Sequence, residues 1–110
     1  MLPSRKRLSR LEFTQFLASK DVKVVFNPLG TLKYKKSLIS QASVVISSKH
    51  EKRAVYRNKL RRRIYSIFEA YFKDNNDQNQ YILYISKQAP SFEYSQIKTF
   101  LYELLKKTTK

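Results

Sequence analysis

Apolar residues recur along this chain with two different periods, and the switching between them sets the order of its elements. Phe13, Phe16 and Leu17 stand at i, i+3 and i+4, one face of a short helix over residues 10–19. Ser9 and Glu12 have capping-box spacing at its start, and Leu8 and Phe13 occupy the positions of a hydrophobic staple. Val22 to Phe26 is β-branched and aromatic, so it predicts a strand, and Asn27-Pro28-Leu29-Gly30 after it predicts a turn. Thr31 to Lys35 alternates and predicts a second strand, while Ala42 to Ser47 predicts a third, more fully buried one.

A helical period then returns. Leu60, Ile64, Ile67, Phe68 and Tyr71 form the stripe of a long helix from about Lys52 to Phe72. The polar stretch Asp74 to Gln80 reads as a loop, and Tyr81 to Ile85 as a fourth strand. After Pro90, with Ser91 as N-cap, Ile97, Phe100, Leu101, Leu104 and Leu105 predict a last amphipathic helix. The order is α-β-β-β-α-β-α, an α+β chain without repeats or low-complexity tracts. Its 110 residues suit one domain, 1–110, with a real core.

Charge changes the reading of the long helix. The chain carries 23 Lys and Arg against 8 Asp and Glu, a formal +15. Eight of those cations lie between Lys49 and Arg63 (KHEKRAVYRNKLRRR), with Glu51 as the one acid. Further cations sit at the ends: Arg5, Lys6, Arg7 and Arg10, then Lys106, Lys107 and Lys110. At about 100° per residue, Arg53 and Arg57 follow the line of the apolar stripe, Asn58 and Arg62 point away from it, and Lys59 and Arg63 lie on another flank. The first half of this helix is therefore basic on several sides and is expected to stand clear of the core. On that reading Arg57 and Arg61 serve a ligand and the fold is indifferent to them.

Such density of like charge is compensated by a polyanion, and arginine's planar fork suits phosphate and base stacking. Nucleic acid, RNA or DNA, leads, ahead of anionic membrane. No apolar run approaches the roughly 20 residues of a membrane span, and the basic start lacks the apolar stretch of a secretory signal, so the cytoplasm is the expected compartment. The absence of cysteine rules out disulfides and thiolate metal sites. A single histidine, His50, set among cations is a poor catalytic base. Asp74 and Asp77 lie in DNNDQN, which lacks the glycine and closing glutamate of a calcium loop. One glycine cannot build a glycine-rich phosphate loop. Binding is thus the expected contribution of this chain. Phe13, Phe16 and Leu17 are expected mainly in the core, with a ring exposed to unpaired bases as the alternative.

At the basic segment the residues become specific. Ala54 to Ile64 (AVYRNKLRRRI) resembles the signature of the protein subunit of bacterial ribonuclease P: Arg-Asn-Arg, a hydrophobe, a basic pair and a hydrophobe. Ser48-Lys49 after the third strand, Arg7-Leu8 with Phe13, the length and the element order also agree with that family. The chain departs from it at Lys59, where arginine is usual, around Lys52, where a glycine usually precedes the motif, and in the first helix, where Leu17 follows Phe13 at four residues.

The resemblance implies a two-layer α/β sandwich whose four-stranded sheet includes a left-handed βαβ crossover. It implies an accessory subunit of an endoribonuclease that removes 5′ leaders from precursor tRNA. The RNA subunit would cleave, with magnesium held by RNA and no cofactor on protein side chains. Lys49, Arg53, Arg57, Asn58, Lys59, Arg61, Arg62 and Arg63 would bind ribonuclease P RNA, and Phe13, Phe16 and Tyr34 would contact the precursor-tRNA leader. Membrane and DNA are not expected partners. A ribosomal protein, or a DNA-binding regulator, is the alternative from another class.

Overall fold

The computed structural model describes residues 6–75 and 78–108; Arg5, Asp77 and Lys110 lie outside the described residues. Its elements are α1 (Arg10–Ala18), β1 (Lys23–Asn27), β2 (Gly30–Lys36), β3 (Gln41–Val45), α2 (Ala54–Asp74), β4 (Asn79–Ile85), a 3-10 turn (Ala89–Ser91) and α3 (Tyr94–Lys107). The α-β-β-β-α-β-α order and the α+β class are as the sequence led one to expect. The strands form one mixed sheet in the order β1-β2-β4-β3. β3 and β4 are parallel, with α2 as their crossover, and the other pairings are antiparallel.

Local chemistry sets the joints. Ser9 and Glu12 close their capping box reciprocally at the start of α1. In the β1–β2 turn the Leu29 N–H donates to Asn27 Oδ1 at 2.9 Å, while Asn27 Nδ2 donates to the Phe100 carbonyl at 2.8 Å, fastening the hairpin to α3. Gly30 is needed because β2 and β4 approach closely there: a Cβ would be driven into the Tyr84 carbonyl oxygen. The last helix differs from expectation. Ser91 belongs to the 3-10 turn, and the N-cap is Glu93, which shares a capping box with Gln96.

The main core lies between one face of the sheet and the pair α2 and α3. Leu32, Val44, Tyr81, Leu83 and Ile85 meet the expected α2 stripe there, together with Ile97, Leu101, Leu104 and Leu105 of α3. Burial of this apolar surface, at about 25 cal/mol per Å², is the main stabilising contribution. Tyr65 is an unforeseen member of the stripe; its hydroxyl accepts the Val44 N–H at 3.3 Å on the outer edge of β3. That edge is also covered by Arg7, bridged to Ala42, with the Leu8 N–H donating to the Ala42 carbonyl. Its exposed backbone is thus shielded from pairing with another chain.

The second face is only partly covered. Ile82 alternates with Tyr81 and Leu83, yet it is fully buried, as is Phe16, and neither joins the main core cluster. α1 lies on this face, because Glu12 is hydrogen-bonded by Gln41, whose carbonyl accepts from the Gln80 amide at 2.9 Å. Beyond α1 the face is open, with Val24 and Phe26 exposed at the β1 edge.

Candidate nucleic-acid interface

α2 divides at Leu60. From there onward it buries a stripe, whereas Ala54 to Lys59 are exposed or half-buried. No side chain caps its N-terminus and no acid stands in its first turn, so the positive end of the helix dipole adds to the charge of the arginines. Lys49, Arg53, Asn58, Lys59 and Arg62 are exposed, and Arg57, Arg61 and Arg63 half-buried.

These side chains are separated by role. Arg53 is held by Glu51 through Nε at 2.8 Å, and its guanidinium lies over the Tyr56 ring with Cζ 3.8 Å from the centroid. Hydrogen bonds from the Arg53 side chain and backbone keep the Glu51 carboxyl below the usual carboxylate range, so the pair is charged at neutral pH. Arg57 turns back on the chain, where Nη1 donates to the Glu51 and Lys52 carbonyls at 2.9 Å each. The expectation that the fold is indifferent to Arg57 is therefore corrected: it pins the segment leading into its own helix. Asn58 Oδ1 accepts from Arg61 Nη1 at 3.0 Å, which holds that guanidinium against the turn of helix before it. Arg53, Tyr56, Lys59 and Arg63 form a second flank facing Phe92.

His50 has a structural place. Its Nδ1 donates to the Ile85 carbonyl at 3.2 Å, and Lys49 N–H donates to Ser47 Oγ, so the turn after β3 is fixed before α2 begins. Among the described residues no three His, Cys, Asp or Glu side chains converge as metal ligands.

Two of the three leader-contact candidates pack inward. Phe16 is 0% exposed beneath α1, so no ligand reaches its ring. Tyr34 follows Leu32 on the core face and packs against Tyr81, ring centroids 6.4 Å apart. Phe13, on α1, is half-buried, as Tyr34 is. Aromatics that do face the open side are Phe26 and Tyr84, both opposite Thr31 in the register, with Lys33 Nζ 5.2 Å from the Tyr84 ring centroid. The period-two alternation from Tyr81 and Leu83 could have indicated Tyr84: residues 82 and 84 must point the other way.

The chain is thus an α+β sheet domain in which one half-helix of cations stands free of the core. The chain belongs to the ribonuclease P protein family, whose profile matches residues 2–109. It is similar in fold to a mutant of the Staphylococcus aureus RNase P protein with defective mRNA degradation activity, at 22% identity and a TM-score of 0.82, over 96% of this chain and 89% of that one. It is likewise similar to the Staphylococcus aureus RNase P protein itself (21%, TM-score 0.80, 94% of each chain). The Thermotoga maritima RNase P protein gives 22% identity and a TM-score of 0.77 over 90% of this chain and 94% of that one. No curated protein matched the sequence.

Proposed function

We propose that this chain binds the catalytic RNA of ribonuclease P and the single-stranded 5′ leader of precursor tRNA, and so promotes endonucleolytic 5′ maturation of tRNA in the cytoplasm. The observation that carries the reading is the first half of α2, where cations outnumber acids and stand outside the core. Arg53, Lys59, Arg61, Arg62 and Arg63 neutralise RNA phosphates, with Lys49 at the approach to the helix. Asn58 sets the direction of Arg61, and Arg57 both holds the loop and adds charge. Family membership favours this role over a ribosomal or DNA-binding one.

The leader lies along the open second face. Phe13 and Tyr84 offer it stacking surfaces, Lys33 and Lys35 supply charge from alternate positions of β2, and exposed Phe26 extends the apolar strip to the sheet edge. Cleavage is left to the RNA, which would hold the magnesium. The test is reconstitution: the chain, a bacterial ribonuclease P RNA and a leader-bearing precursor tRNA are mixed at low magnesium and cleavage is timed. Stimulation over RNA alone is expected; its absence would overturn the proposal.

A further inference from the structure

Between the exposed half of α2 and the 3-10 turn lies a pocket of about 220 Å³. Tyr56 and Phe92 give it aromatic surface, Leu60 and Ile97 an apolar floor, and Arg53, Lys59 and Arg63 a cationic wall. Glu51 is the one acid on it, and its carboxylate is already engaged by Arg53. We infer that this pocket receives a single unpaired nucleotide of the bound RNA, base inward against the aromatic rings and phosphate outward against the cations. The inference rests on the RNA-binding reading above and specifies one contact within it.

Three observations converge on that ligand. The volume lies below the roughly 300–1,000 Å³ of sites for drug-sized molecules, so it suits one ring system rather than a larger ligand. Its lining combines aromatic and guanidinium planes, the surfaces on which unstacked RNA bases rest, with cations that a base alone would not need. Its walls are also prepared. Arg53 is stacked on Tyr56 and tethered by Glu51, and Phe92 is braced by Phe100 with ring centroids 5.4 Å apart. Little ordering remains to oppose binding. A continuous duplex has no free base to offer, so the pocket selects a bulge or loop on RNA that the basic helix grips by its backbone.

The experiment measures binding of the full chain to a ribonuclease P RNA transcript across a series of KCl concentrations, with a bulge-free RNA duplex of similar length as comparison. Tyr56 is 48% exposed, so its variants are expected to fold, which thermal melting would verify. Tyr56→Ala should weaken transcript binding about 5- to 150-fold through lost stacking, at an unchanged salt slope. Tyr56→Phe should bind as the wild type does. Phe92→Leu, which keeps apolar packing on Phe100, should share the loss, and duplex binding should not respond to any of the three. Ultraviolet cross-linking should attach a single nucleotide to the peptide bearing Tyr56 or Phe92. If Tyr56→Ala and Phe92→Leu both bind the transcript within twofold of wild type, the pocket is not a nucleotide site while the RNA-binding reading stands. Failure of the wild-type chain to bind the transcript would overturn both.

Discussion

A tyrosine's partner across the sheet decides whether it supports the core or meets a ligand. Tyr34 and Tyr84 sit on neighbouring strands, β2 and β4, yet face opposite sides: Tyr34 packs on Tyr81, and Tyr84 lies beneath the Lys33 ammonium. Burial raises the Tyr84 phenol above its ordinary range, so it stays neutral and available for stacking at physiological pH. Tyr84→Ala is accordingly expected to lower affinity for leader-bearing precursor tRNA by about 1–3 kcal/mol while leaving affinity for mature tRNA unchanged. Tyr34→Ala should do the reverse kind of damage, costing about 2–4 kcal/mol of stability through the cavity left beside Tyr81. Holoenzyme binding assays with both tRNA forms, together with chemical denaturation, would check the pair. Equal leader selectivity in the wild type and Tyr84→Ala would remove Tyr84 from the site. The sequence showed both residues as aromatics of strands, but a one-residue difference in register is enough to reverse their sides.

Within α2 the same composition does two jobs. The C-terminal part was legible from its period, because a stripe at i, i+4, i+7 and i+8 has no stable place except against a core. The N-terminal part was legible only as charge, and the structure distributes it: Arg57 inward to two carbonyls, Arg61 tied to Asn58, Arg53 to Glu51. Side-chain direction at a helix start depends on the preceding loop, whose path no helical projection contains. Arg57→Ala and Arg61→Ala should therefore separate. Both should weaken RNA binding and reduce its salt slope, each by roughly 0.7–0.9 for a lost phosphate contact. Arg57→Ala alone should also destabilise the free protein, by about 1 kcal/mol for the lost hydrogen bonds to the loop. Urea denaturation of the two variants measures the difference; identical midpoints would show that the Arg57 contacts contribute nothing. Ser91 carries a similar lesson, since its side chain serves the 3-10 turn and Glu93 caps the helix.

Across the whole molecule, the chain carries a formal charge of +15, and its described residues span 34 × 27 × 24 Å. Self-repulsion opposes the compact state and is screened by salt, with a Debye length near 10 Å at 0.1 M and shorter above it. The thermal midpoint of the free protein should thus rise by a few degrees between 50 and 500 mM KCl, equivalent to about 1 kcal/mol. Scanning calorimetry at the two concentrations would show it, and a fall would mean that specific ion pairs outweigh the repulsion. Added RNA should raise the midpoint further, because a ligand bound only by the folded state stabilises it.

By itself the sequence determined the order of elements, the helix stripes, the capping box at Ser9, the turn after the first strand and the position of the basic segment. Each follows from spacing or composition within about ten residues, where backbone geometry alone relates one side chain to the next. The tertiary structure decided which face of the sheet α1 covers, and with it that Phe16 is buried, that Tyr34 supports the core and that Tyr84 is presented. It also decided that Tyr56 and Phe92, 36 positions apart, line one pocket. Those relations join segments distant along the chain, and they exist only once burial of the core has fixed how the strands and helices meet.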